Sequence, residues 1–213
     1  MARGSESFTF ALGALRGELR AGRHPPMTRI TAGETAERLS VSATPVREAL
    51  SRLAGEGLLL DRRGQGFFVP RLEASDVEDL YRMQRDLLLI ACKAAVGACR
   101  PRERERLPPA DRASGEDDDA VAVARSEQIF RRLALKSSAA LARELDRLQD
   151  QIAPVRIHEP AVLGGLSTEL SDLLRTVQAA PAARVDDALG EYFDRRIAVA
   201  LRLARTAANI DSI

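Results

Sequence analysis

The sequence predicts a mainly α-helical protein with one small β-hairpin, divided into two domains. Over most of the 213 residues, apolar side chains recur every three or four positions, which is the spacing of amphipathic helices. Between residues 58 and 72, two short apolar runs instead flank a basic, glycine-rich turn, which is typical of a hairpin. We therefore expect a helical domain over residues 1–72 that ends in a β-hairpin, followed by an antiparallel α-helical bundle over residues 73–213.

The first domain is organised around two short predicted helices between residues 34 and 57. Their apolar residues fall on one helical face: Ala36, Leu39, Val41, Val46, Ala49, Leu50 and Leu53. Ser40-Val41-Ser42 interrupts the helical pattern, and Thr44 as N-cap with Pro45 at the first helical position starts the second helix. An earlier helix over residues 8–20 is expected to pack beneath this pair.

Basic side chains follow on the outer side of the second helix, where Arg47 and Arg52 lie. A cation near the N-terminus of a helix opposes the helix dipole, so an outward Arg47 indicates an anionic partner rather than a more stable helix. Helices that enter a DNA groove present their N-terminal residues to the bases in this way. Together with the hairpin tip, Arg62-Arg63-Gly64-Gln65-Gly66, the helix pair predicts a winged helix-turn-helix domain.

Two strings in this domain, VSATPVREALSRLAGEGLL and RRGQGFFV, resemble the DNA-binding domain of the GntR superfamily of bacterial transcription regulators. The resemblance implies a homodimer that binds a palindromic operator in double-stranded DNA and most often represses transcription. The residues that it places at the DNA are Ser42, Thr44, Arg47, Arg52, Arg63, Gly64 and Gln65. Ala43 stands where the family usually has arginine, which implies an altered operator contact.

The charge distribution agrees with a DNA-binding first domain. Residues 1–72 hold 11 arginines and 7 acids, a net charge of +4, whereas the remainder has a net charge of −3. The two histidines, His24 and His158, fall in predicted loops, so the chain offers no catalytic set, and we expect no enzyme activity and no cofactor. A signal sequence and any run of about 18 apolar residues are absent, which predicts a cytoplasmic protein without a membrane partner.

The second domain is predicted to be helical apart from one loop. Ser75-Asp76-Val77-Glu78 is a capping box that opens a long helix to about Arg100. Residues 101–119 are rich in proline and charge, and we expect them to form a mobile loop. Further helices are predicted over residues 120–136, 138–152, 162–178 and 182–207.

The long helix also carries both cysteines. Cys92 and Cys99 lie seven residues apart, which is about 10 Å of helical rise and too far for a disulfide. We expect both thiols to lie in the core. The predicted buried face of this helix consists of Val77, Leu80, Leu87, Ala91 and Ala94.

Two segments of this half, SEQIFRRLALKSS and TELSDLLRTVQAAPAARVDDALGEYFDRRI, resemble, more weakly, the helical effector-binding domain of the FadR-type branch of the same family. Many members of that branch hold a metal ion with one aspartate and three histidines. The matching places here hold Glu127, Arg131, Leu170 and Tyr192, so no histidine remains among them. Because arginine and leucine cannot serve as metal ligands, we predict that this chain has no metal site. Gln84 also stands where the family has an arginine on the first bundle helix.

We hypothesise that Arg131 points into the bundle and binds an anionic effector, such as a carboxylate, with help from Gln84, Glu127 and Tyr192. Two alternatives remain for Arg131: an ion pair with Glu127 four residues earlier, or exposure to solvent beside Arg132. The domain as a whole has an alternative too, in which it has lost ligand binding and only dimerises. A ligand-shaped cavity in the bundle would favour a sensor, and a solidly packed bundle would favour a dimerisation domain.

Overall fold

The structure, a computed structural model, describes residues 2–98, 116–179 and 182–208. It confirms a mainly α-helical fold with a small antiparallel sheet as the wing. The elements in chain order are α1 (Ala2–Arg20), β1 (Arg29–Ile30), α2 (Ala32–Leu39), α3 (Ala43–Gly55), β2 (Leu60–Arg62), β3 (Gly66–Phe68), α4 (Ala74–Ala98), α5 (Glu116–Ser137), α6 (Ala139–Arg156), α7 (Glu159–Leu163), α8 (Leu166–Ala179), α9 (Ala182–Ile197) and α10 (Ala200–Ala207).

One apolar core joins α1, α2, α3 and the sheet. Val46, Leu50 and Leu53 of α3 are fully buried in it, as their helical spacing predicts. Leu39 and Val41 pack against the same core but are only partly buried. The outer side of α3 therefore faces solvent, and its orientation is fixed by the packing of its inner side.

The wing is a three-stranded antiparallel sheet in the order β1-β3-β2, which is one strand more than the predicted hairpin. Leu60 of β2 lies opposite Phe68 of β3, and Arg62 lies opposite Gly66. The chain turns between them through Gly64, whose positive φ of 76° is a conformation that glycine adopts without strain. β1 pairs with the other edge of β3 and ties the wing to the start of α2.

The start of α3 differs from the sequence prediction. Ser42, rather than Thr44, is the N-cap, with an extended backbone at φ −74° and ψ 157°, and Ala43 is the first helical residue. Pro45 stays within the first turn, where its missing N–H removes no helical hydrogen bond. Before it, Ser40 adopts a left-handed conformation, with φ 55°, that ends α2 and redirects the chain into α3.

The second core belongs to the helical bundle, and α4 is its central helix. It packs against α5, α6, α9 and α10. Its most enclosed positions, at 0–1% exposure, are Val77, Tyr81, Gln84, Leu88 and Ala91, of which Val77 and Ala91 were expected in the core. Ala94, which we also expected in the core, is exposed. The face predicted from apolar spacing is therefore only partly correct, because a helix with neighbours on several sides also buries polar positions.

The N-terminus of α4 also corrects the prediction. The helix begins at Ala74, and the side chain of Asp76 accepts a hydrogen bond of 2.9 Å from the backbone N–H of Glu73. The predicted capping box at 75–78 is wrong, because the side chain that reaches back to the cap residue comes two positions earlier, at Asp76.

Three further predictions have a mixed outcome. Residues 101–115 of the expected mobile loop and Cys99 lie outside the described residues, but residues 116–119 belong to α5 rather than to a loop. Cys92 is buried, as expected. The helix predicted over residues 182–207 is divided into α9 and α10, because the backbone leaves the helical region just before α10.

Candidate nucleic-acid interface

The N-terminal half of α3 presents polar side chains to solvent. Ser42, Thr44 and Arg47 are all exposed, and the side chain of Ser42 makes no capping hydrogen bond. Among the described residues, Arg47 has neither an ion-pair partner nor a hydrogen-bond partner. A cation that is exposed, unpaired and held at a helix N-terminus is available to an external anion.

The tip of the wing offers a second set of groups. Arg63, Gly64 and Gln65 are exposed, and the backbone N–H of Gln65 donates to the carbonyl of Arg62 at 2.8 Å, which closes the turn. The guanidinium of Arg62 lies 4.8 Å from the centre of the Phe68 ring and is thereby held against the sheet. Arg63 is left as the freely exposed cation of the tip.

Arg52 is arranged differently from Arg47, although both lie on α3. Its Nε lies 2.6 Å from Oε1 of Glu56, so its charge is compensated within the helix although 65% of its side chain is exposed. Arg52 also lies in the last turn of α3 rather than at its N-terminal end. Of the two α3 arginines expected at the DNA, Arg47 is the one in the N-terminal half of the helix, the part that groove-entering helices present to the bases.

Glu56 connects the end of α3 to the rest of the molecule. Besides Arg52, its carboxylate contacts Arg16 of α1, with 2.7 Å between Oε2 and Nη2. Its backbone carbonyl accepts hydrogen bonds from Gln151 at 2.8 Å and from Arg147 at 3.2 Å, both on α6 of the bundle. The C-terminal end of the candidate DNA-contacting helix is therefore bonded directly to the second domain.

A second set of contacts joins α1 to the bundle. The carboxylate of Asp150 on α6 accepts from both Arg16 and Arg20 of α1. Arg20 also pairs with Glu127 of α5. Arginines of the first domain and acids of the second thus form the joint, a term we use for the contacts of Arg16, Arg20 and Glu56 with α5 and α6.

The four residues expected to form an effector site do not assemble around a common space. Gln84 is buried and donates to the carbonyl of Leu148 at 3.5 Å. Glu127 pairs with Arg20 and with Arg156. The hydroxyl of Tyr192 lies 3.3 Å from Nη2 of Arg156, which donates to it.

The inward orientation expected of Arg131 is wrong. Its side chain is 54% exposed, and its Nε donates to Asp146 of α6 at 2.9 Å. The helical turn of α5 explains this result, because Ile129, Phe130 and Leu133 occupy the buried face and turn position 131 outward. Arg131 therefore pairs across two helices, rather than with Glu127 on its own helix.

A buried ionic cluster occupies the bundle interior instead, and sequence reasoning missed it. Its centre is Glu159, which is 0% exposed and accepts from Arg156 at 2.7 Å and from Arg196 at 3.0 Å. Tyr81 donates to the same carboxylate at 2.8 Å. Arg196 continues outward to Glu169 at 2.9 Å. We call these five residues the buried cluster.

Electrostatics explain why the buried groups of the cluster remain charged. Burial by itself would raise the pKa of Glu159, but the charges of Arg156 and Arg196 outweigh burial and hold that pKa below its ordinary value. Burial and the Glu159 charge raise the pKa of Tyr81, which therefore remains a hydrogen-bond donor. Within the buried cluster, each charge has a partner of opposite sign, as burial requires.

One sequence signal could have indicated this cluster. Arg156 and Glu159 stand three residues apart beside Pro154, in a segment whose other positions are mostly apolar. Neither the participation of Arg196 nor the inward direction of these side chains follows from local spacing, because α9 approaches Glu159 of α7 only in the folded bundle.

Two searches of the described part of the chain gave negative results. No group of three or more His, Cys, Asp or Glu side chains in residues 2–98, 116–179 and 182–208 is placed to hold a metal ion. Within the same ranges, no helix is both long enough and apolar enough to cross a membrane.

Comparison with known proteins identifies the first domain. The family model described as "Bacterial regulatory proteins, gntR family" matches residues 10–69. The Nta operon transcriptional regulator of Aminobacter aminovorans is 42% identical over 74 residues, and the HTH-type transcriptional regulator McbR of Escherichia coli is 33% identical over 93 residues. These matches cover 33% and 44% of this chain and only 35% and 42% of the two relatives.

Solved structures extend the likeness of fold to both domains. The chain superposes on E. coli McbR/YncC with a TM-score of 0.72 at 22% identity, covering 92% of this chain and 97% of that one. A putative GntR transcriptional regulator from Rhodococcus sp. RHA1 gives a TM-score of 0.69 at 18% identity, covering 95% of this chain and 99% of that one. At these identities the likeness concerns the fold alone.

Proposed function

We propose that this chain, whose residues 10–69 match the gntR family of bacterial regulatory proteins, is a sequence-specific transcription regulator that binds a palindromic operator as a homodimer. The observation that carries this proposal is the unpaired, exposed Arg47 at the N-terminal half of α3. In our proposal Arg47 contacts bases in the major groove, Ser42 and Thr44 contact the adjoining backbone, and Arg63, Gly64 and Gln65 of the wing lie along the neighbouring phosphates.

Arg52 has a different role in this proposal. Because Glu56 compensates its charge, Arg52 positions the end of α3 and adds little to base contact. The two relatives are named as transcriptional regulators rather than as enzymes, which supports a non-catalytic protein. Binding to chromosomal DNA would take place in the bacterial cytoplasm, and repression is the mode of action that the family resemblance implies.

The contacts between the domains support control of operator binding by the helical domain. The end of α3 is bonded to α6 through Glu56, so a shift of α6 would displace α3. The buried cluster fills the bundle interior around Glu159, Arg156 and Arg196 with paired side chains. This packing disfavours the hypothesis that a carboxylate effector binds among Gln84, Glu127, Arg131 and Tyr192.

The test is selection of bound fragments from fragmented genomic DNA with purified protein, repeated with Arg47→Ala. The wild-type protein is expected to enrich one palindromic sequence, and the variant to lose that enrichment with a cost of about 1–3 kcal/mol per arginine–base contact. Arg143→Ala is the matched control, because Arg143 is exposed on α6 of the bundle. A reporter gene behind the enriched site then distinguishes repression from activation.

Two results would contradict the proposal. Binding that is blind to sequence, and that the wild type and Arg47→Ala share, would show that α3 does not contact bases. Enrichment that survives in Arg47→Ala but is lost in Arg143→Ala would place the DNA contact on the bundle.

A further inference from the structure

A cavity lies between the two domains, beside the joint. Its volume is about 140 Å³, and it is partly open to solvent. The first domain contributes residues from the end of α1, the following loop and the segment after the wing, among them Leu19, Pro25 and Val69. The bundle contributes the end of α6 and one face of α10, including Ile157 and Ala207. Neither domain encloses this space alone.

The shape of the cavity suits a small, rigid ligand. Four prolines line it, Pro25, Pro26, Pro70 and Pro154, and proline fixes its own backbone angle and offers no N–H donor. These walls are therefore stiff and apolar, as in preformed ligand pockets. A volume of 140 Å³ is close to that of engineered protein cavities of about 150 Å³ that bind benzene. One six-membered ring fits this space.

The charge state of the walls selects against an anionic ligand. The carboxylate of Asp150 is already compensated by Arg16 and Arg20, and Arg71 pairs with Glu73 at 3.0 Å. Burial lowers the pKa of His158, so its imidazole is neutral at pH 7. A carboxylate entering this space would lose water without gaining a free cation among the described lining residues, which is unfavourable.

Polar side chains in the lining still allow a directed hydrogen bond. Both histidines of the chain, His24 and His158, line the cavity, together with Gln151. His24 is oriented by Glu18, with 3.0 Å between Nε2 and Oε2. A neutral imidazole or an amide oxygen accepts a hydrogen bond from a hydroxyl group.

We propose that this interdomain cavity binds a neutral, single-ring aromatic compound that carries one hydroxyl group. Such a ligand touches Leu19, Pro25 and Val69 of one domain and Ile157 and Ala207 of the other, so its binding free energy depends on how the domains are placed. Gln151 lines the same cavity and also donates to the carbonyl of Glu56 at the end of α3. The effect of the ligand on DNA rests on the proposed regulator function; its binding does not.

Phenol is the probe for binding, with the full-length protein and no DNA present. Calorimetric titration and thermal unfolding are expected to show saturable binding of phenol and a rise in Tm with phenol concentration. Benzoate has the same ring with a negative charge, and its affinity is expected to be at least roughly tenfold lower, a difference of about 1.4 kcal/mol. Equal binding of both compounds, or no saturable phenol binding, would overturn the proposal.

A larger side chain in the cavity wall tests whether phenol binds in this cavity. Ala207→Met adds three heavy atoms to the wall from α10 and is expected to abolish the phenol-dependent rise in Tm. Ala140→Met is the matched control, because Ala140 is exposed at the start of α6 and does not line the cavity, and this variant should respond like the wild type. Loss of the response in both variants, or retention in both, would overturn the assignment.

A second variant covers the case in which Ala207→Met fails to fold. Ile157 lines the cavity but is 47% exposed, so Ile157→Ala removes wall volume at little cost to folding. This variant is expected to bind 4-ethylphenol at least about tenfold more tightly than the wild type does, since the enlarged space admits the added ethyl group. Unchanged preference between phenol and 4-ethylphenol would contradict the site.

A final experiment tests whether phenol binding changes the affinity of the protein for DNA, independently of whether phenol binds. Affinity for the selected operator is measured with and without saturating phenol, and a change of about fivefold or more is expected for coupled sites. Phenol binding together with an unchanged operator affinity would confirm the site and overturn its coupling. If the protein selects no operator at all, the regulator proposal fails, while the binding experiments without DNA still decide the cavity.

Discussion

The two domains use arginine in opposite ways. On α3 and the wing, Arg47 and Arg63 are exposed, and no described residue pairs with them. In the bundle interior, Arg156 and Arg196 are 2% and 1% exposed, and each contacts the carboxylate of Glu159. A desolvated guanidinium must find its counter-charge within the fold, whereas a hydrated one can remain available for an external phosphate.

This difference in burial and pairing distinguishes arginines that stabilise the fold from arginines that are available to bind DNA. Burial and pairing identify Arg156 and Arg196 as parts of the bundle core, although a cluster of charge inside a helical bundle suggests a ligand site at first sight. Exposure without pairing identifies Arg47 and Arg63 as candidates for DNA contact. Arg131 falls between these classes, because it is exposed but paired with Asp146.

The largest expected effect comes from breaking the buried cluster. Glu159→Gln leaves Arg156 and Arg196 without their shared carboxylate, and we expect it to destabilise the protein by about 3–5 kcal/mol, as for other buried pairs that lose one partner. Denaturant unfolding measures this loss. Glu169→Gln is the control, because Glu169 lies at the solvent-facing edge of the same cluster and should cost less. Equal stability of Glu159→Gln and the wild type would contradict the role of the cluster.

We also expect Glu159→Gln to change how the stability of the protein depends on pH. The pKa of Glu159 is lower in the folded protein than its ordinary value of 4.5, so its stabilising contribution is complete above pH 4.5 and is lost as the pH falls below that value. The wild type should therefore lose stability below pH 4.5, and Glu159→Gln should lose less over the same range. Parallel acid unfolding curves for both proteins would show that Glu159 is not responsible.

A smaller effect is expected at the wing tip. Arg63→Ala removes an exposed cation that we place on a phosphate, so operator affinity should fall roughly equally for matched and mismatched sites. The slope of log K against log salt should decrease by about 0.9 for the lost phosphate contact. Titrations at several salt concentrations measure both quantities. A loss of affinity confined to one base pair would instead assign Arg63 to base contact.

The smallest effect is expected for Arg131, the residue that sequence reasoning placed in an effector site. Arg131→Ala removes an exposed pair with Asp146 and should cost about 0–1 kcal/mol of unfolding free energy. Phenol binding and operator affinity should remain as in the wild type, which titration and DNA-binding measurements check. A loss of ligand binding in this variant would restore Arg131 as an effector contact.

The first domain could be predicted further than the second because its signals are local. The turn between α2 and α3 lies within a few residues, and the buried face of α3 follows from the spacing of Val46, Leu50 and Leu53. The start of α3 was misplaced at Thr44 because Ser42 and Thr44 are both capable caps, and only the backbone geometry distinguishes them.

The bundle shows where such reasoning ends. Long helices of alanine and leucine give a helical period, but their neighbours come from distant parts of the chain. Gln84 and Tyr192 were singled out correctly as inward residues, and both are buried, yet each bonds to a partner that sequence spacing does not reveal. The predicted inward orientation of Arg131 is wrong for the same reason, because its partner, Asp146, lies on another helix.

The sequence by itself determined the mainly helical fold, the winged helix-turn-helix and the exposed Arg47, because the relevant contacts lie within about 60 residues and follow helical periodicity. Only the tertiary structure decided which charges are buried, since the cluster around Glu159 of α7 also needs α4, α6 and α9 to converge on it. It also decided the joint and the interdomain cavity, because a space between two domains exists only when both are packed together.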